Sequence, residues 1–384
     1  MRFRYNVGMF IDKNKTLRTA IDQLFHYNAF NLSFSQSMIE VLLSNQSLQK
    51  PIKSISIHQT MRHEDFQNNL IKRLVTDPIL EQEKNLIKAL LDKGLTKMTQ
   101  DQYVTNPFYQ AVKPQVKKRG EWFLTYDTYL PYQPVIMGDV QIDANQHFLE
   151  LSPIGYFEQP FSFLALKQKG VTWMSITPFE INTMEKTLSK MSGHVTTLGL
   201  GLGYFAFMAA LKKEVKHVTV VEKDQKVIDL FLEHIYPMLS VKEKITIMHA
   251  DAFSYLKSNK KPMDHLFVDI YHTADDGLPL YMQLKKMESL WPKTSWHYWL
   301  ESSILGLFRR HMIIYLEEQV QKSGLMDYSN PENFQEFLLQ NLDAMTAKTS
   351  IQTADKLKVW LSDESIKTII KNLNDIPQDF IDIM

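Results

Sequence analysis

Short apolar runs alternate with longer segments of helical pattern between residues 194 and 300. Four such runs fall at residues 195–198, 218–221, 245–248 and 266–270. Strands that alternate with helices are typical of a parallel sheet that carries helices on both of its faces. We therefore predict an α/β fold with a doubly wound, Rossmann-like sheet in this part of the chain.

The first run leads into a turn that contains three glycines, Gly199, Gly201 and Gly203. The whole chain of 384 residues has only 13 glycines, so three within five positions is a strong local concentration. Because glycine has no Cβ, it lets the backbone turn tightly and lets a ligand approach the amide groups. A helix that begins after the turn adds a favourable field for polar or anionic groups. The pattern predicts a ligand site at this turn.

Acidic residues follow the other three runs. Glu222 lies 23 residues after Gly199 at the end of the second run, where a carboxylate can accept hydrogen bonds from both hydroxyls of a ribose. Asp251 follows the third run and could accept from an adenine amino group, with Ala252 or Phe253 against the ring, or could cap the following helix. Asp269 ends the fourth run, at the crevice where such sheets bind ligands.

Together, the glycine turn and these three acids resemble class I S-adenosylmethionine-dependent methyltransferases. Residues 267–281 are more similar still to the spermidine synthase-like branch, in which Asp ends the fourth strand before an acidic loop with Gly and Pro. The resemblance covers roughly residues 175–300 and implies a sheet of the seven-stranded type.

What the resemblance implies about the site can be stated residue by residue. S-adenosyl-L-methionine would be the cofactor, and the three glycines of the turn would frame its methionine part. Glu222 would bind the ribose hydroxyls, and Asp251 with Ala252 would bind the adenine. Asp269 matches the position of the catalytic base in aminopropyltransferases.

Two positions depart from the families that the chain resembles. Methyltransferases usually carry an acid two residues before the first glycine, where this chain has Thr197. Aminopropyltransferases carry an Asp between the last two glycines, which binds a primary ammonium group, and this chain has Leu202 there. An apolar side chain cannot balance that charge. We therefore predict a methyltransferase and keep an aminopropyltransferase as an alternative.

Two further functions stay open. The segment from Gly201 to Ala206 also fits the dinucleotide fingerprint G-x-G-x-x-G/A, with Glu222 as the ribose acid, which would make the chain an NAD-binding oxidoreductase. That fingerprint does not call for acids at the third and fourth strand ends. The other function is a non-catalytic, nucleoside-binding interaction module, because Thr197 could mark a degenerate site.

The predicted catalytic residues are Asp269, Tyr271 and His272. Because the methyl group of the implied cofactor is already activated, such a protein mainly aligns the reactants and excludes water. Asp269 or His272 would accept a proton from the substrate, and the ordinary pKa of histidine suits that task. Tyr271 could stack on the substrate, bond to it, or pack in the core. We predict no metal site, although Asp275 and Asp276 are near in sequence.

We predict four segments along the chain. Residues 1–103 form a helical N-terminal region, and residues 104–175 form a small β-rich segment whose antiparallel strands are split by a polar turn at 143–146. Residues 176–300 form the cofactor-binding domain, and residues 301–384 form a helical C-terminal extension. We expect the N-terminal segments to cover the crevice and to choose the substrate.

Three helices are predicted from local signals. Ser33 can cap a helix that runs through Leu43, and Asp77 precedes a proline that can open another, which would end at Gly94. Thr177 and Glu180 have the spacing of a capping box, in which each side chain bonds to the other residue's backbone amide.

Composition limits the chemistry and the partners. The chain has no cysteine, which excludes a disulfide framework, a thiolate metal site and a cysteine nucleophile. Basic and acidic side chains number 43 each, so no overall field attracts nucleic acid or an anionic membrane. The N-terminal sequence lacks the apolar core of a secretory signal. We expect a cytoplasmic protein with a small-molecule substrate and no membrane or nucleic-acid partner, and a homodimer is left open.

Overall fold

The computed structural model describes residues 9–12, 14–44, 60–321, 331–346 and 349–377. Helices account for most of the N-terminal and C-terminal parts of this chain. In chain order they are α1 (Lys15–Leu43), α2 (His63–Leu74), α3 (Pro78–Gln82), α4 (Lys84–Gly94), α5 (Asp101–Val104), α6 (Pro107–Ala111), α7 (Pro178–Lys190), α8 (Tyr204–Ala210), α9 (Gln225–His234), α10 (Ala252–Ser258), α11 (Ala274–Met287), α12 (Glu301–Gln321), α13 (Phe334–Thr346), α14 (Ala354–Trp360) and α15 (Asp363–Asn372).

Strands fall mainly between residues 95 and 298. In chain order they are β1 (Phe10–Ile11), β2 (Leu95–Met98), β3 (Lys117–Arg119), β4 (Trp122–Tyr129), β5 (Val135–Ile136), β6 (Gln141–Asp143), β7 (Leu149–Leu151), β8 (Ile154–Phe157), β9 (Phe161–Gln168), β10 (Val171–Ser175), β11 (Gly193–Leu198), β12 (Val215–Glu222), β13 (Ile245–His249), β14 (His265–Val268), β15 (Ser295–Tyr298) and β16 (Ser350–Ile351). The mixed α/β class predicted from the sequence is confirmed.

The central sheet has the strand order β13-β12-β11-β14-β15, and all of its neighbours are parallel. The order reverses between β11 and β14, which creates the switch point where open α/β sheets bind ligands. The four predicted apolar runs correspond to β11 to β14. The described chain contributes five strands to this sheet and not seven, because it enters α12 directly after β15. β15 was missed, since its short Ser-Trp-His-Tyr sequence has no apolar run.

The carboxyl ends of the central strands meet at one edge of the sheet. Leu198 pairs with Val221 on one side and with Val268 on the other, and Glu222 pairs with His249. The glycine turn and the acids that follow β12, β13 and β14 therefore share this edge. This register supports the prediction that the glycine turn and these acids line one crevice.

The predicted antiparallel strands are confirmed, but the prediction of a single sheet is wrong. One sheet has the order β10-β9-β4-β3, while β5 joins β8 and β2 in a second sheet and β6 pairs with β7 in a third. Trp122 and Leu124 of β4 are buried in the cluster that also contains the core of the central sheet. Arg119 reaches Asp229 and Glu233 of α9 at 3.2 Å each. These contacts fix the β-rich segment against the central sheet. The parallel pairing of β2 with β8 was not expected.

Helix α1 begins earlier than predicted. Asn14 caps it by accepting a hydrogen bond from the Leu17 amide at 2.9 Å, and the helix then runs for 29 residues. Ser33 lies inside it, so the predicted cap at Ser33 is wrong. The physical reason is that the apolar stripe starts at Leu17 and continues without interruption, as its buried residues show. The predicted cap at Asp77 and the predicted end at Gly94 are confirmed, but the single predicted helix is divided at Glu83 into α3 and α4.

The two ends of the described chain meet the same core. β1 pairs with β16 in parallel, and one buried cluster includes Leu17, Leu124, Leu198 and Leu357, which come from all four predicted segments. The boundaries of those segments stay a prediction. Among the described helices, none combines the length and the apolar character that crossing a membrane requires.

Candidate functional site

The glycine turn after β11 is held by contacts within the chain. All three of its glycines have positive φ, and Gly199 has the largest, at 97°. A methyl group at Gly199 would lie 1.9 Å from the carbonyl oxygen of Asp269, and one at Gly203 would lie 2.2 Å from the ring of Phe231. Neighbouring protein atoms therefore require glycine at these two positions whether or not a ligand binds. The cofactor role of the glycines stays a prediction.

Glu222 ties the glycine turn to the end of β12. Its carboxylate accepts hydrogen bonds from the amide of Leu200 at 3.1 Å and from the amide of Asp224 at 2.8 Å. The residue is only 9% exposed. Each carboxylate oxygen has a second lone pair, so the group can still accept from a ligand hydroxyl. Glu222, which is predicted to bind the ribose, thus also stabilises the glycine turn.

Asp251 caps helix α10, which was one of its two sequence interpretations. Its Oδ1 accepts from the Ser254 amide at 2.9 Å, and Oδ2 has no hydrogen-bond partner in the described chain. The side chain is exposed, and Ala252 beside it is buried. The Ala250 amide donates to the Glu222 carbonyl at 3.0 Å, which keeps the two strand ends together. The cap leaves one oxygen for a ligand.

Thr197 and Leu202, the two positions at which the chain differs from the families that it resembles, are both buried. Thr197 is buried and donates its hydroxyl to the carbonyl oxygen of Gly199 at 3.2 Å. Leu202 is buried in the main core. The turn is therefore stabilised without an acid at either position, and Leu202 offers no charge to a ligand.

Asp269 lies at the switch point of the central sheet. Its amide continues the β11–β14 pairing by donating to the Leu198 carbonyl at 2.9 Å, while its carboxylate has no hydrogen-bond partner in the described chain. Burial raises the pKa of Asp269 to about 7, an effect that His272 opposes and Glu222 increases. A carboxyl group with this pKa can exchange a proton near neutral pH.

Glu180 is a second acid at the same place, and the sequence analysis assigned it elsewhere. Thr177 accepts from the Glu180 amide at 3.4 Å, which is half of the predicted capping box. The other half is wrong, because within the described chain the Glu180 carboxylate accepts no hydrogen bond from the Thr177 amide. Burial, followed by the charge of Asp269, raises the pKa of Glu180 well above its usual value. Only its capping spacing was visible in the sequence.

His272 follows Asp269 and is held by the first turn of α11. Its amide donates to Asp276 at 2.8 Å, and the amide and hydroxyl of Thr273 each donate to Asp276 at 2.7 Å. Partial burial alone would raise the pKa of Asp276, but the hydrogen bond with the His272 ring at 3.3 Å, together with these other hydrogen bonds, lowers it below its usual value. This capping box was not predicted. No group of three or more potential metal-ligating side chains occurs in the described chain.

Tyr271 points away from His272 and into the core. Its hydroxyl donates to the carbonyl oxygen of Trp299 at 2.5 Å, and its ring lies against Gly277. Burial, with the nearby Asp269, raises the pKa of Tyr271 well above its usual value. The structure therefore places Tyr271 where it positions the segment after β14, and a contact with substrate stays a prediction.

The β-rich segment covers part of the crevice. The ring of Trp173 meets the ring of His272 edge to face, with centroids 4.0 Å apart. The sulfur of Met174 would lie 3.0 Å from a methyl group at Gly201. Burial, followed by the charge of Glu180, raises the pKa of Tyr129 in the same segment. Sequence reasoning missed these three residues, since only their place in strands was evident, but it expected this segment to cover the crevice.

The raised pKa values of Asp269 and Glu180 have a consequence for the stability of the fold. Asp269 and Glu180 bind protons more tightly in the folded chain than in the unfolded chain, where a carboxyl pKa is about 4. The folded state then holds more protons between about pH 4 and pH 7, so this contribution to the free energy of unfolding should fall as the pH rises through that window. Asp269→Asn should reduce this fall in urea unfolding at pH 5 and pH 8. An unchanged difference between the two pH values would contradict the assigned burial.

Comparisons with known proteins give partial similarities. No protein-family model and no curated protein sequence matches the chain. Among solved structures, a putative O-methyltransferase from Klebsiella pneumoniae matches at 17% identity and a TM-score of 0.22, over 26% of this chain and 46% of that one. Spermidine synthase from Thermotoga maritima matches at 13% identity and a TM-score of 0.29, over 39% and 59%.

A putative SAM-dependent methyltransferase from Streptococcus mutans matches at 17% identity and a TM-score of 0.27, over 35% of this chain and 36% of that one. The chain thus spans about half or less of the length of two of these structures, and 59% of the spermidine synthase. With TM-scores below 0.5, we base no functional conclusion on these similarities.

Proposed function

We propose that the chain is an S-adenosylmethionine-dependent methyltransferase that acts on a small-molecule acceptor. The observation that carries this proposal is the carboxylate of Asp269, which has no hydrogen-bond partner in the described chain and stands at the reversal of the parallel sheet. The backbone carbonyl of Asp269 lies against Gly199 of the glycine turn, and Glu222 and Asp251 follow strands that end on the same edge. A reacting group bound at this edge would meet a proton acceptor with a pKa close to neutral.

The acceptor atoms of this edge match the donors of the cofactor. Ribose presents two hydroxyl donors and adenine presents an amino donor, while Glu222 and Asp251 each retain lone pairs that can accept them. Glu222 would bind the ribose, and Asp251 with Ala252 would bind the adenine. The glycine turn would bind the methionine part of the cofactor. When bound, the cofactor supplies a methyl group that is activated by a positive sulfur.

The chain's own residues then have three tasks. Trp173 and Met174 would exclude water by covering the turn and His272. Tyr271 would hold the segment after β14 in place through Trp299. Asp269 would accept a proton from the substrate, with His272 as the neighbouring charge that favours its ionised form.

One observation favours a second function, a non-catalytic nucleoside-binding module. Both oxygens of Glu222 already accept from backbone amides, and Gly199 and Gly203 are required by internal contacts. Such an edge can be kept for the fold alone. This alternative retains ligand binding at most and needs no proton transfer by Asp269.

The ligand class can be tested by thermal shift with S-adenosylhomocysteine, decarboxylated S-adenosylmethionine and NAD in parallel. A ligand at 100 times its Kd stabilises a folded protein by about 2.7 kcal/mol, which is a measurable rise in Tm. We expect the largest rise with S-adenosylhomocysteine. Preference for NAD would overturn the proposal in favour of an oxidoreductase, and preference for the decarboxylated compound would favour aminopropyl transfer.

The adenine assignment predicts a loss of affinity without a loss of stability. In Asp251→Ser the serine keeps the helix cap but is too short to reach a ligand. We expect S-adenosylhomocysteine to bind about tenfold more weakly by calorimetry, as loss of one hydrogen bond to a charged group implies. Asp77→Ser is the matched control, because Asp77 caps α3 through the same contact, to the Leu80 amide at 2.9 Å. Equal affinity in both variants would remove Asp251 from the site.

A further inference from the structure

A cavity lies beside the start of β15, at the amino ends of the central strands. Its volume is about 700 Å³, within the range of roughly 300–1,000 Å³ that small-molecule sites have. Its lining comes from the segment before β15, from Trp296 of that strand and from the C-terminal ends of α11 and α15. Ser295, which opens β15, pairs with His265, which opens β14. The cavity is therefore on the opposite edge of the sheet from the glycine turn.

Positive charge prevails in the lining of this cavity, which includes Lys285, Lys286, Lys371 and Glu288. Glu288 accepts a hydrogen bond from Lys285 at 2.5 Å and pairs with Lys371 at 2.9 Å, so two ammonium groups share one carboxylate. Lys286 pairs at 2.7 Å with Asp375, which is exposed and lies outside the lining. The lysines outnumber the acids even when Asp375 is counted. The cavity therefore favours a negative ligand.

Lys285 is held in place by the fold. It is only 7% exposed, and its ammonium group lies 5.1 Å from the ring centroid of Tyr298 and 5.5 Å from that of Tyr281. The hydroxyl of Tyr298 donates to Glu288 at 3.2 Å. Burial alone would raise the pKa of Glu288, but its hydrogen bonds with the lysines lower it below its usual value. The charges at this wall are thus preformed, which reduces the cost of binding.

The rest of the lining offers apolar surface. It is supplied by Trp291, Pro292, Trp296 and Leu373. The indole of Trp291 donates to the carbonyl oxygen of Leu256 at 3.2 Å, and this bond fixes the segment before β15. The indole N–H of Trp296, by contrast, is buried and has no hydrogen-bond partner in the described chain. Buried donors of this kind are uncommon and mark a polar contact that the protein itself does not fill.

We propose that this cavity binds an organic anion with an aromatic body, whose charged group meets the lysines and whose ring lies against the two indoles. Aromatic rings bury a large apolar area and stack on other aromatic faces. A cation would add to the positive charge of the lining, and a small anion would leave the apolar surface uncovered. Helix α11 begins just after His272 and reaches the cavity at Lys285, roughly 17 Å along its axis. Binding there requires no methyl transfer.

The test is calorimetry of the full chain with naphthoate, naphthylmethanol and naphthylmethylammonium, all substituted at the same ring position, and with acetate. The first three share a ring and differ in charge, and acetate carries the carboxylate without the ring. We expect naphthoate to bind about tenfold more tightly than each of the others. Absence of naphthoate binding, or an equal affinity for the alcohol, the cation or acetate, would overturn the proposal.

Two lysine variants locate the site. Lys371→Gln should weaken naphthoate binding about fivefold, since it removes one part-exposed charge, while Glu288 retains its other two partners. Lys367→Gln is the matched control, because Lys367 is one turn earlier on α15, pairs with Glu301 at 3.4 Å and is not in the lining. Equal weakening in both variants, or in neither, would contradict binding in this cavity. If Lys371→Gln does not fold, Lys286→Gln must show the weakening.

Saturation with S-adenosylhomocysteine separates this cavity from the proposed cofactor site. We expect the affinity for naphthoate to stay unchanged, because the two sites are on opposite edges of the sheet. Competition between the two ligands would place naphthoate in the crevice and would overturn the second site. If S-adenosylhomocysteine does not bind, the methyltransferase proposal fails, and the lysine variants still decide whether the cavity binds the anion.

Discussion

Replacing Gly199 with alanine is expected to destabilise the fold by about 4 kcal/mol or more and to abolish binding of S-adenosylhomocysteine. The added methyl group would lie 1.9 Å from the carbonyl oxygen of Asp269, which is backbone and cannot rotate away. The ends of β11 and β14 would have to separate, and the crevice lies between them. Urea unfolding gives the loss of stability, and calorimetry at low temperature gives the loss of binding.

Gly170→Ala separates steric clash from backbone strain. Gly170 has a φ of 87°, close to the 97° of Gly199, but no atom lies within 4 Å of the methyl group that the substitution adds. It should therefore cost only the strain of a left-handed alanine, roughly 1–2 kcal/mol. If both variants lose the same stability, the close approach of β11 and β14 is not what requires glycine at position 199.

Glu222→Ala is expected to lower the free energy of unfolding by about 3 kcal/mol and to remove binding of S-adenosylhomocysteine. The substitution leaves the amides of Leu200 and Asp224 without their acceptor, and each buried unsatisfied group costs about 1–3 kcal/mol. It also removes the proposed acceptor of the ribose hydroxyls. Urea unfolding measures the first effect, and calorimetry on the folded variant measures the second.

Glu214→Ala is the control for that substitution. Glu214 is exposed and precedes β12, so its removal should change stability by less than about 0.5 kcal/mol and leave binding intact. A Glu222→Ala variant that binds S-adenosylhomocysteine as tightly as the parent chain would contradict the assignment of Glu222 to the ribose hydroxyls. One that binds weakly but keeps full stability would contradict the structural role of its two hydrogen bonds.

The central sheet could be predicted because each of β11 to β14 contains a run of apolar residues bounded by turn or helix signals. β15 could not, since its residues Ser295 to Tyr298 form no apolar run, and Tyr298 is buried against Tyr281 of α11. The start of the long helix α1 was predicted too late for a related reason. Ser33 is a favourable cap in isolation, but packing of Leu17 and Ile21 decides where the helix begins.

The site was predictable only where a residue follows a strand. Gly199, Glu222, Asp251 and Asp269 all lie at the expected edge, because parallel strands align their carboxyl ends. Glu180 reaches the same place through the packing of α7 on Trp299, which no local pattern reveals.

One inference from the sequence was too strong. Because glycine is scarce in this chain, the three glycines after β11 were attributed to a ligand site. Contacts with the Asp269 carbonyl and the Phe231 ring require two of those glycines without any ligand. Local spacing shows that a backbone must turn, but it does not show which atoms approach it.

Calorimetric titration of S-adenosylhomocysteine into the parent chain is the most direct measurement of the central claim. We predict saturable binding at one site per chain, weakened about tenfold in Asp251→Ser and unchanged in Asp77→Ser. A folded parent chain that gives no binding heat, or equal affinities in both variants, would contradict a cofactor site at the carboxyl edge of the central sheet.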